Sequence, residues 1–120
     1  MKLTIEQKAL VACREYVRLN VVIRNLTRDI GEALSKCPGT GDAPPSDKAH
    51  QPTHLRDWYQ KGDLMNEWGF MGGGIPDYKA AFEACRHCVE ADKLIQQRKA
   101  ARLSLGAAKR QITKLGKVAA

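Results

Sequence analysis

From Ala9 to Cys37, apolar or small side chains return at alternating steps of three and four: Ala9, Ala12, Tyr16, Leu19, Ile23, Leu26, Ile30, Ala33 and Cys37. That spacing keeps one stripe on one face of an α-helix and excludes a strand, whose faces alternate every second residue. A capping box, Thr4 followed by Gln7, marks the start. "CPG" marks the end, because Pro38 disfavours helical geometry at Cys37 and Gly39 tolerates positive φ. The segment 4–37 therefore reads as one long helix with a coiled-coil-like seam.

A second seam follows later: Ala91, Leu94, Arg98, Ala101, Leu105, Ala108, Ile112 and Leu115, with Arg98 its one charged interruption. Pro76 and Asp77 are start signals, so a second helix is expected over 77–117. Neither helix can bury its stripe alone. The expected fold is all-α: a long antiparallel two-helix hairpin in a single domain, as a monomer or duplicated in a homodimer.

The connection, 38–76, is far longer than the two to eight residues usual between bundle helices. It reads as an irregular insert at the hairpin tip with one short helix from Thr53 to about Gln60. Trp58, Tyr59, Trp68 and Phe70, four of the chain's seven aromatics, lie in it. They fit either a mini-core or a protein-docking face, for which aromatics are the usual anchors.

An antiparallel hairpin brings the end of the first helix to the start of the second, and so Cys37 to the "CRHC" pair Cys85 and Cys88. Cys13 lies 24 residues before Cys37, about 36 Å along a helix, and is read as a small buried hydrophobe. Three thiols and one histidine make a closed tetrahedral zinc site, which would tie the insert to the hairpin. His54, at the Pro52-Thr53 helix start, is the preferred fourth ligand over His50; His87, between the two cysteines on a continuous helix, would project away from their shared face.

Signals for catalysis are missing. "GTG" and "GGG" lack the spacing of a dinucleotide or phosphate loop, and neither HExxH nor GxSxG occurs. Without a strand pattern, CxxC has no thioredoxin-like setting. Asp57, Asp63 and Glu67 read as scattered surface carboxylates. No apolar run has membrane-spanning length and no secretory leader is recognisable, so a cytoplasmic protein with reduced thiols is expected.

Charge points to binding instead. The formal net charge is +7, and after Asp92 no acid follows while eight Lys and Arg do. Lys8, Arg14 and Arg18 of the first helix would share one end with Arg102, Lys109, Arg110 and Lys114, a basic surface suited to nucleic acid or an acidic partner. A solvated charged face is the plainer reading of the same residues. No aromatics interleave those cations and there is no helix-turn-helix signature, so neither base stacking nor groove reading is expected.

The stretches "CPG", "PTHLRDWY" and "ACRHCVEADKLIQQRKAARLSLGAAKRQITKLG" resemble small accessory proteins encoded in bacteriophage and prophage genomes. The resemblance implies a cytoplasmic protein of the bacterial host cell that binds and redirects a host protein or nucleoprotein complex, as anti-CRISPR inhibitors do. In outline the chain is also similar to hairpin factors that enter RNA polymerase, although their doubled CxxC is missing. The alternative function is direct, regulatory DNA or RNA binding.

Overall fold

The computed structural model describes residues 2–39, 52–61 and 77–119. They form four helices: α1 (Ile5–Ser35), α2 (His54–Lys61), α3 (Tyr78–Ala84) and α4 (Arg86–Ala119). No strand occurs among the described residues, and α1 packs against α4 as a helical hairpin.

Local chemistry sets the ends. The Thr4 N–H donates to Gln7 Oε1 at 2.9 Å and the Gln7 N–H donates to Thr4 Oγ1 at 3.1 Å, a complete capping box. α1 ends in a tightened turn, with the Cys37 N–H donating to the Leu34 carbonyl at 3.1 Å. Gly39 then takes φ 87°, a value that strains any residue with a Cβ. The Asp77 side chain caps α3 through the Ala80 N–H at 3.0 Å.

The expected boundaries need two corrections. The first helix is shorter than 4–37 at both ends. The second is not continuous from 77, because Cys85 has extended geometry (φ −93°, ψ 100°) and separates α3 from α4. Cys85 closes one helix, its N–H donating to the Phe82 carbonyl at 3.1 Å, and opens the next, its carbonyl accepting from the Val89 N–H at 3.0 Å.

The chain divides into two compact units, 1–28 with 95–120, and 29–94. In the first, Ala12 and Leu19 of α1 are buried with Ala101, Ala108 and Leu115 of α4, while Tyr16, Ile23, Leu105 and Ile112 are half-buried. Both expected seams are thus the packed faces. Direction follows from pairing: Thr27 meets Arg98, whereas Val11 and Ala12 share a groove with Ala107 and Ala108. As one index rises the other falls, which is antiparallel packing. The small alanines give little apolar area per layer, so close helix approach rather than bulk sustains this interface.

Arg98 stands in the α4 seam as the sequence indicates. Its Nη1 donates to Thr27 Oγ1 at 3.3 Å, and its buried Nε has no partner. Cys13, expected in the core, is exposed. It follows Ala12 by one residue, and that 100° step carries it out of the seam.

The second unit packs the end of α1 and the start of α4 with α2 and α3. Among the described residues, Ile30, Ala33, Leu55, Cys88 and Ala91 are its buried apolar side chains.

Candidate metal centre

Three chain breaks deliver the ligands. Cys37 is held by the closing turn of α1 and Cys85 by the junction between α3 and α4. His54 opens α2, where Thr53 caps through the Arg56 N–H at 3.0 Å. Cys88 lies one turn into α4 and is 0% exposed.

One donor atom from each of Cys37, His54, Cys85 and Cys88 lies within 4.8 Å of all the others. The Cys37 and Cys85 sulfurs are 3.8 Å apart, and His54 Nδ1 is 3.2 Å from Cys37 Sγ. Ligands at ~2.3 Å for sulfur and ~2.0 Å for nitrogen around a tetrahedral metal would place two sulfurs about 3.8 Å apart and sulfur and nitrogen about 3.5 Å apart. The Cys37–Cys85 separation matches that spacing and the His54–Cys37 one is a few tenths of an ångström shorter; all four cysteines are free thiols.

The surroundings fit the same purpose. The Leu55 N–H donates to Cys88 Sγ at 3.3 Å, so the second residue of α2 touches a ligand whose neighbour in α2 is itself a ligand. Such N–H···S bonds orient thiolates and take up part of their charge. Burial pushes the Cys88 thiol up, the Leu55 N–H opposes this, and Cys37 and Cys85 raise it further, to about 12. Burial also raises Cys85, but the Cys88 N–H, the Cys88 and Cys37 side chains and the His87 N–H outweigh it and lower its pKa overall. Cys85 thus does at α4 what Ser or Asp does at other helix starts. A thiol pushed up beside two others is stable as a neutral group until a cation replaces the protons.

His87, read as projecting away from the two cysteines, is not among the four clustered donors; with His54 and Cys85 it lines a cavity of about 630 Å³, flanked by Lys36 and Arg86. His50 lies outside the described residues.

α2 is clamped from two further sides. The Trp58 ring stacks on Phe82 of α3, with centroids 6.4 Å apart and planes 11° from parallel. The Tyr59 hydroxyl donates to the Asp92 carboxylate of α4. Trp58 is therefore half-buried in a small core and Tyr59 remains exposed. Trp68 and Phe70 lie outside the described residues.

Of the expected basic residues, Arg14, Arg18, Arg102, Lys109, Arg110 and Lys114 are all exposed. Arg18 is engaged by Glu15, at 2.9 Å through Nε and 2.5 Å through Nη2. That pair lowers the Glu15 pKa, the hydrogen bond from Arg18 being the main cause. Lys109, Arg110, Lys114 and Lys117, with Thr113, line a shallow hollow of about 440 Å³ on α4.

Among the described residues, no helix is long and apolar enough to cross a membrane. No family model, curated protein or solved structure matches the chain.

Proposed function

We propose that the chain is a non-enzymatic binding protein, held in shape by one zinc ion, that engages and inhibits or redirects an acidic or nucleic-acid-containing complex in the cytoplasm of a bacterial host. Zinc suits a set of three thiolates and one imidazole, which fills its four positions and leaves none for substrate. Three thiolates leave a zinc complex one negative charge in excess, and Lys36 and Arg86 beside it offset that charge. The metal would act as structure, since α2 and α3, at eight and seven residues, are too short to persist alone.

The observation that carries the binding reading is the partition of charge. The unit 1–28 with 95–120 holds 13 of the chain's 20 Lys and Arg but two of its 13 Asp and Glu. A field of that sign draws anionic surfaces and speeds encounter with them. The resemblance to phage accessory proteins supports a host nucleoprotein or defence complex as the target, in the manner of anti-CRISPR inhibitors.

The direct DNA or RNA binder remains a second reading, favoured by the hollow in which Thr113 sits among Lys109, Arg110, Lys114 and Lys117. Hydroxyl and ammonium groups grouped in this way contact phosphates without reading sequence. One experiment separates the two. Tagged, zinc-loaded protein is used to capture partners from bacterial lysate, with and without nuclease, at low and high salt. A stoichiometric protein retained after both treatments supports the first reading. Nucleic acid alone, lost on nuclease or salt and lost in the Lys109→Glu, Arg110→Glu, Lys114→Glu variant, supports the second. Capture of neither refutes both.

A further inference from the structure

α1 carries a second apolar stripe that the hairpin does not use. Leu10, Val17 and Val21 stand at i, i+7 and i+11 of the helix. They are 51%, 61% and 48% exposed. On a helical projection they centre about 170° from Ala12 and Leu19, so they lie on the face turned away from α4; Leu3, before the helix, instead lines the groove that Ala12 shares with Ala107 and Ala108. Exposed Cys13 lies beside them.

The borders of the stripe define its occupant. Arg14 and Arg24 flank it, both exposed, and no acid stands on this face over residues 10–24. A second copy fits poorly. Parallel pairing sets Arg14 and Arg24 against themselves, and antiparallel pairing of Leu10 with Val17 of the other copy brings the two Arg14 side chains within one residue. Like charges so placed are destabilising. A helix with its own apolar stripe bordered by Asp and Glu satisfies both the area and the charge.

We infer that the outer face of α1, residues 10–24, is a docking site for an acidic amphipathic helix of another protein. The inference rests on the reading of the chain as a binding protein but assigns a surface separate from the metal centre and from the cations of α4. Amphipathic helices pair through apolar residues that return on one face every one or two turns, as Leu10, Val17 and Val21 do at i, i+7 and i+11. The charged borders set orientation and encounter rate.

The test uses the full zinc-loaded chain and two 21-residue helical peptides with Leu at a and d positions, one bearing Glu and the other Lys at e and g. Fluorescence anisotropy reports binding, and the rate of Cys13 alkylation by iodoacetamide reports which face is covered. The expected result is saturable binding of the Glu peptide at least about tenfold tighter than the Lys peptide, with slowed Cys13 alkylation. Val17→Glu should weaken the Glu peptide at least about tenfold while ellipticity and zinc content stay unchanged. Lys109→Glu with Arg110→Glu and Lys114→Glu should leave Cys13 protection intact, which separates this site from the basic surface of α4. Equal binding of both peptides, or no effect of Val17→Glu, overturns the inference. So does a dimer by light scattering with Cys13 already protected, which gives the face to a second copy, or binding confined to phosphatidylglycerol vesicles, which gives it to a membrane.

Discussion

Removing the metal should melt α2 while leaving the α1–α4 pairing of residues 1–28 and 95–120 folded. α2 holds eight residues, and its one buried apolar side chain is Leu55, at 3% exposure. Burying one leucine contributes about 1.5–3 kcal/mol. Stacking of Trp58 on Phe82 adds about 0.5–1.5 kcal/mol. Ordering eight backbones costs about 8–16 kcal/mol, which the net hydrogen bonds of so short a helix do not offset. The shortfall is of the size that structural zinc supplies, about 10–16 kcal/mol. The assay is far-UV circular dichroism with hydrogen exchange, on protein stripped with a chelator under reducing conditions. If α3, which α2 packs against, melts with it, about a fifth of the helical ellipticity disappears. Amides of residues 54–61 become unprotected, while those around Leu19 and Ala108 stay slow. Full ellipticity with protected α2 amides in metal-free protein would refute the reasoning.

Three other outcomes follow from the same geometry. Reduced protein purified without chelator should contain one zinc per chain by mass spectrometry of the native ion, lost in Cys37→Ser, Cys85→Ser, Cys88→Ser and His54→Ala but kept in Cys13→Ser. Zinc affinity should fall as pH falls, by up to about a thousandfold per unit where all three thiols are protonated. Competition with a chromophoric chelator across pH checks this. Arg98→Leu should stabilise the hairpin by about 1–3 kcal/mol, because Nε loses its unmet desolvation; a lower urea midpoint would show that the Thr27 contact outweighs it.

The hairpin was legible because its information is periodic. Steps of three and four survive the substitution of any one residue, even Arg98, and they placed Ala12, Leu19, Ala101 and Leu115 correctly in the packed faces. The approach of Cys37 to Cys85 followed from topology alone, and His54 from the helix start at Thr53. The break at Cys85 was not legible. The seam continues past it in α4, and cysteine carries no signal as a cap; the thiol assumes that role only because two N–H groups and two other sulfurs surround it. Cys13 was misplaced because identity, rather than its one-residue offset from Ala12, decided the reading. The outer stripe of Leu10, Val17 and Val21 also follows helical spacing but has three members, and the longer pattern hid it.

Every ligand of the candidate centre stands where a helix ends or begins: Cys37 after α1, His54 at the first residue of α2, and Cys85 and Cys88 around the opening of α4. The middle of neither long helix contributes a donor. Matched seven-residue insertions in α1 and α4 would therefore keep the period of the seam and leave all four ligands untouched. A scaffold built this way can be resized for a different target without redesigning the part that holds it together.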